Sequence, residues 1–373
     1  MLLFLLLLLV AGIALSLPAV QTRIAKELMT KINTSYGTSI EIDEVAISVF
    51  GGVKLKKVLI KDHHKDTLIY ANRIKTNLIG IKNVIDGDLI FNSIHLDGLL
   101  FHLKTYKKEK LTNLDVFIEA FETGKPSTKP FLMTVREAFI SNGHFLLIDE
   151  NRRDPKDVDF TRLNAQISNF QILGPEVETN INQLSFKDHR GVFLKKLTAK
   201  FSYNKKRIRL KNLELATSGS KLKGDVQLNY KIEDFADFNN KVKFDIKLKS
   251  SVIASNDIRC FYDELGKNLF FNARSRIEGT LNNLKLTDLV LFDRKGSKII
   301  GSINFKNLFP SKSQEFYMNG KFRSLTTTYD HLVAILPNVL GESLPEILKK
   351  IGKVDLVGST ELTTKNIQAD FSM

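Results

Sequence analysis

The chain has 373 residues, 43% hydrophobic and 26% charged, with one cysteine, Cys260. It therefore folds by packing, without an internal disulfide, and is long enough for two ordinary domains or one elongated one. Fifty-five basic against 41 acidic residues give a net charge of +14, which would suit anionic lipid or nucleic acid. The lysines are scattered along strand patterns, and no recognition helix or RNA-binding aromatic motif accompanies them. A solvated lysine-rich face is the preferred reading, and nucleic acid is not an expected partner.

Leu2 to Val20 is almost purely apolar, broken by Gly12, Ser16 and Pro18, and no charge appears before Arg23. As a helix it would span roughly 28 Å, close to a bilayer's hydrocarbon thickness. A transmembrane anchor is predicted over residues 1–22, with Leu2, Leu5, Leu8, Ile13 and Leu17 in lipid. A cleaved signal is the competing reading, with Ala14-Leu15-Ser16 as its cleavage site. The length of the run and its missing basic lead favour an uncleaved anchor. The basic residues come after it: Arg23, Lys26 and Lys31. Taken literally they would hold the body in the cytoplasm, unless the true start lies upstream. The helix is predicted to continue to about Ile32, with Ile24, Leu28 and Ile32 on one stripe.

Past residue 38 the dominant signal is period two, the mark of strands. Val242, Phe244, Ile246 and Leu248 alternate with charges from Lys241 to Lys249. Val226, Leu228, Tyr230 and Ile232 repeat the pattern, as do Leu197, Ala199, Phe201 and Tyr203, and Val177, Thr179 and Ile181. Further strands are predicted at 40–48, 53–61, 68–78, 89–103, 131–149, 160–172, 207–216, 270–280, 285–292, 299–305 and 316–322. Turns starting at Asp62, Asp188 and Asp293 share an aspartate, basic residues and, twice, a glycine. Helices are few. Thr112 to Asp115 reads as a capping box opening a helix through Phe121. Ser255 is predicted to cap one carrying Ile258, Phe261, Tyr262 and Leu265 and ending at Gly266. Tyr329–Leu336 and a segment from Ser343 to Gly352 are the others. Residues 124–130 look like a linker, which divides the body into regions 23–124 and 125–373.

A one-sided sheet must bury its apolar face against something. A membrane barrel fits poorly, because helices interrupt the strands and tryptophan is absent. A sandwich, or a sheet curled into an apolar groove, remains. Periodicity does not separate these two. A groove would be lined by Leu197, Phe201, Val226, Leu228, Tyr230, Val242, Phe244, Ile246 and Leu248, and would suit phospholipid acyl chains.

Catalytic chemistry is not visible. No phosphate loop, nucleophile elbow or zinc-helix motif is present. His63 and His64, beside Asp62 and Asp66, come nearest to a metal site. Adjacent residues on a strand or turn point apart, however, so a cation would need a third ligand from elsewhere, and a solvated turn is preferred. His95, His102, His144, His189 and His331 read as scattered strand or turn residues, and Asp149-Glu150 with Arg152-Arg153 as a turn. No enzyme, cofactor or metal is expected.

Together these segments resemble the N-terminal part of the TamB family, AsmA-like translocation and assembly module subunits of the Bacteroidetes type. The resemblance rests on the leucine-rich run into Leu17-Pro18-Ala19-Val20-Gln21-Thr22 and on Val53 to Ile74. It rests also on Leu111 to Glu122 and Leu336 to Thr364. Its most specific part is the Asp-His-His-Lys-Asp-Thr-Leu run at 62–68. The resemblance implies one inner-membrane helix followed by a long curled β-sheet with an apolar interior, so the expected fold is mainly β: an elongated, curled antiparallel sheet with a few short helices. The body would lie in the periplasm. It implies a role in outer-membrane biogenesis, by lipid transfer between membranes or by assembly of outer-membrane proteins. An Omp85-class partner would dock through a C-terminal module, which is missing here. The chain is therefore expected to be a fragment of a longer protein. A structural β module that binds unfolded outer-membrane clients is the alternative.

Overall fold

The computed structural model describes residues 17–48, 52–78, 88–120, 130, 132–152, 156–309, 314–335, 337–340, 344, 349–350, 352–363 and 366–372. Among them the protein is mainly β, with seventeen strands, one helix of 19 residues and a few short ones. Two compact units divide at Phe193/Leu194.

The first unit opens with helix α1 (Pro18–Tyr36), then β1 (Ser39–Ile47), β2 (Gly52–Lys61), β3 (Thr67–Leu78) and β4 (Asp88–Thr105). After α2 (Asn113–Glu119) come β5 (Leu132–Asp149), β6 (Lys156–Leu173) and β7 (Glu176–Asp188). Sequence neighbours pair throughout, antiparallel except for β4 with β5. That pair is parallel because β5 begins beside the start of β4, Leu132 opposite Asp88, as a connection longer than a hairpin allows. It also joins strands from both sides of the linker-like stretch.

Helix α1 lies along the outer edge of β1. Its polar side chains satisfy backbone groups that a further strand would otherwise take. The Thr22 hydroxyl donates to Val45 O and accepts from Val45 N (3.1 and 2.9 Å). The Gln21 amide does the same for Ile47, and the Asn33 amide for Ile40. An edge strand is thereby covered. The expected apolar stripe does not face the sheet: Ile24 and Leu28 are 44% and 51% exposed. What β1 offers is unpaired backbone, so the helix turns a polar face to it. The helix carries too many polar residues to cross a membrane, and no helix among the described residues is long and apolar enough to do so. Leu2, Leu5, Leu8 and Ile13 lie outside the described residues. Leu17 stands just ahead of α1, half exposed.

The second unit is an antiparallel meander. It comprises β8 (Phe193–Asn204), β9 (Arg207–Ala216), β10 (Lys221–Asn229), β11 (Lys243–Ala254), β12 (Phe270–Thr280), β13 (Asn283–Asp293), β14 (Lys298–Lys306), β15 (Tyr317–Thr327), β16 (Val354–Thr363) and β17 (Ile367–Ser372). A 3-10 turn (Ile232–Asp237) and α3 (Phe238–Lys241) join β10 to β11. Helix α4 (Ser255–Arg259) follows β11, and α5 (Tyr329–Ile335) and α6 (Pro337–Leu340) follow β15. Helix α4 is shorter than its sequence pattern, and Ser255 is its first residue, not its cap: Ala254 holds that place, and the Ser255 hydroxyl accepts from Leu269 N (2.9 Å) instead. The chain leaves it so that Gly266 N can reach Ile335 O (2.9 Å), and Ile258 and Phe261 stay exposed.

A line of irregularities crosses this unit. The register slips by one residue in β9, β11, β13 and β15, with Asn212 and Asp288 at positive φ. The strands between carry small residues at that level: Gly224 opposite Leu213 and Leu248, Ser275 opposite Leu248, Gly301 opposite Leu289 and Phe322, Gly358 opposite Phe322 and Phe371. A Cβ at Gly224 would run into the Lys247 carbonyl, and one at Gly301 into the Lys321 carbonyl. Bulges and glycines are the two devices that bend a sheet. Here they alternate strand by strand along one line, with the small residues on the apolar, crowded side.

The three aspartate turns share one geometry. The carboxylates of Asp62, Asp188 and Asp293 each accept the amide two residues on, from His64, Arg190 and Lys295. The third residue after each aspartate has positive φ: Lys65 (67°), Gly191 (99°) and Gly296 (92°). The Thr112 capping box also forms, with Asp115 as its partner, although the helix it opens ends at Glu119. Residues 121–129 and most of 341–351 lie outside the described residues.

Candidate functional site

In the second unit, apolar residues are matched across strand after strand. Phe201, Leu210, Val226, Ile246, Ile277, Leu286 and Ile303 are successive cross-strand partners from β8 to β14. Each is half-buried. A row packed under a second layer would be buried, so these side chains touch one another along the sheet and remain accessible above it. Tyr203, Ile208, Leu228 and Phe244 make a parallel row one pleat away. The first unit has its own row: Val45, Leu55, Ile74, Leu96, Ile140, Ala165 and Leu184, across all seven strands. There only Val45 is buried.

The opposite face carries charge. Between the apolar residues of β11, Asp245 and Lys247 sit beside Glu278 and Arg276 of β12. Arg276 pairs with Asp245 at 3.1 Å and with Glu278 at 3.0 Å. The hydrogen bond to Glu278, then the charges of both carboxylates, hold its pKa above the ordinary value. Lys249 pairs with Asp225 and Lys223 with Glu214. These contacts fix which face is wet, although each exposed pair adds little stability.

Of the residues singled out from sequence, Leu197, Phe201, Val226, Leu228, Phe244, Ile246 and Leu248 share this half-buried face. Leu197 partners Leu215, and Leu248 lies between Gly224 and Ser275. Tyr230 and Val242 are instead covered by the chain itself. Tyr230 is 6% exposed, lies beyond the end of β10, donates to Asn204 O (2.9 Å) and packs on Phe235 (centroids 4.6 Å). Burial, then the neighbouring Tyr203, pushes its phenol up to about 12. Val242 is fully buried (0%) and precedes β11, held by its amide to Phe238 O. Ile232 leaves the strand altogether and is exposed. The connection that covers Tyr230 and Val242 puts Phe238 against Phe244 (5.9 Å). It is pinned by buried Asn282, which bonds Asn239 O and the Asn240 side chain. Leu210, Ile277, Leu286 and Ile303 were not singled out from sequence. They lie in predicted strands, and the signal that marks them is their register with Val226 and Ile246, which one sequence does not display.

Histidines far apart in sequence come together in the fold. The His102 and His144 rings lie 5.4 Å apart, and His144 Nε2 is 2.8 Å from Asp159 Oδ1. Burial, then the His144 charge, lowers the His102 pKa. His63 and His64 meet at the β2–β3 turn, over Tyr106.

The chain matches no family model and no curated protein.

Proposed function

We propose that this chain is a membrane-anchored, lipid-carrying β-sheet protein of the bacterial envelope, of the TamB, AsmA-like kind that its sequence resembles. The observation that carries the reading is the row of half-buried apolar side chains across seven consecutive strands, backed by an ion-paired opposite face. Six interstrand steps of about 4.8 Å make that row about 29 Å long, the scale of a bilayer's hydrocarbon core, about 30 Å. Acyl chains laid on it would be held by about 25 cal/mol per Å² removed from water. Their headgroups would stay at the strand ends, where Lys205 and Lys206 lie between β8 and β9 and Lys243 begins β11. The apolar run at residues 2–20 would anchor the protein in the inner membrane, and helix α1 would bring the first strand close to that anchor.

The test is native mass spectrometry of the protein extracted from membranes. Phospholipid should remain bound to the wild type and be lost from the double variant Val226→Asp/Ile246→Asp, with strand content by circular dichroism unchanged. Equal lipid occupancy in the two would overturn the proposal. Retention of unfolded outer-membrane proteins in place of lipid would favour the client-binding alternative.

A further inference from the structure

We propose that His63, His64 and Glu109 form a site for one divalent transition-metal ion, with zinc(II) the ion that the donor set fits. The β2–β3 turn brings the two imidazoles together. Asp62 Oδ1 accepts the amides of His64 and Asp66, both at 3.0 Å. Adjacent turn residues are expected to point apart, but both imidazoles turn toward Tyr106 and Glu109, so the rings converge, with centroids 4.4 Å apart. Tyr106 supports them from below. It is 7% exposed, its ring lies 3.8 Å from that of His64, and its hydroxyl is 2.8 and 2.9 Å from Asp62 and Asp66.

The third ligand comes from the segment after β4. Glu109 Oε2 lies 2.9 Å from His63 Nε2, and Oε1 lies 2.7 Å from His64 Nε2. The Glu109 backbone is fixed at both ends: its amide donates to Tyr106 O, and its carbonyl accepts from Asn151 (both 3.0 Å). The three donor atoms fall within 4.8 Å of one another. Zinc bonds of about 2.0–2.1 Å place tetrahedral ligand atoms about 3.4 Å apart. An ion would therefore spread the present contacts by about half an ångström. The side chains are 28%, 45% and 32% exposed, free enough to move and open to solvent. Two imidazoles and a carboxylate suit zinc and leave a fourth position for water. Asp62 behind Tyr106 adds negative potential, while the Asp66 charge is offset by Lys104 at 3.5 Å. A bound ion would clip the β2–β3 turn to the segment after β4.

The experiment is calorimetric titration of the chelator-treated full chain with zinc chloride alone. One ion per chain is expected, with affinity falling by on the order of tenfold or more in His64→Ala and in Glu109→Gln. His95→Gln, away from the cluster, should bind as wild type. Cobalt(II) should give visible d–d absorption in the wild type and lose it in His63→Ala. Thermal unfolding in the absence of metal checks that each variant is folded. The proposal is overturned by wild-type affinity in the His64 and Glu109 variants, or by no zinc binding to the wild type.

Discussion

One apolar face of the second unit is treated in two ways. At the ends of β10 and β11 the chain covers its own side chains: Val242 is fully buried and Tyr230 nearly so, beneath the connection that carries Phe235 and Phe238. A few residues further along β11, Ile246 belongs to the row that stays half exposed. In the sequence the two sites are equivalent, both apolar positions in one alternation. The difference lies in the connections. A four-residue helix and a 3-10 turn are long enough to seal a strand end and too short to roof a sheet. Openness of the row is therefore set by what the loops do not reach.

The largest test of that contrast is Val242→Asp against Ile246→Asp. An unpaired charge in the sealed end should cost about 3–5 kcal/mol, read as a fall in the denaturation midpoint. The same charge at Ile246 can meet water and should cost under about 1 kcal/mol. Equal losses would remove the distinction. Next comes the bend. Gly301→Ala should cost about 1–3 kcal/mol, since its Cβ would collide with the Lys321 carbonyl.

A comparable loss, about 1–3 kcal/mol, is expected for Asp188→Ala in the first unit. Asp188 is 3% exposed and accepts from the Arg190 side chain at 2.8 and 2.7 Å. Burial alone would raise its pKa. The hydrogen bonds and charge of Arg190 outweigh burial and lower it. A carboxylate with a depressed folded pKa stabilises above its unfolded value, about 3.9, and loses that contribution as pH falls through the folded pKa. The gap between wild type and Asp188→Ala should hold at neutral pH and narrow only below about pH 4. The smallest effect is a gain: Lys65→Gly should stabilise by up to about 1 kcal/mol, because Lys65 holds the φ that glycine holds in the two sister turns.

Much of the strand order was legible. Arg207–Ala216 and Phe270–Thr280 fall where alternation puts them, and the aspartate turns and the Thr112 box use local chemistry that short segments carry. What escaped was non-local. The bulges in β9, β11, β13 and β15 switch the apolar positions from even to odd or back, so a strict period of two ends the pattern early; β11 runs to Ala254, beyond Lys249. Strand β16, Val354–Thr363, was not foreseen, since Gly358 and its serine and threonine neighbours dilute the apolar signal. The parallel pairing of β4 with β5 depends on where a long connection returns. Glu109 lies more than forty residues from His63 and His64 in sequence, and nothing local links them. The polar edge-facing side of α1 was hidden because its apolar stripe is the stronger pattern.

The most direct measurement of the central claim is photo-crosslinking in membranes from adjacent positions of β11. A benzophenone side chain at Ile246 should capture phospholipid, and one at Lys247, on the ion-paired face, should not. Capture from Lys247 alone, or from neither, would contradict the account.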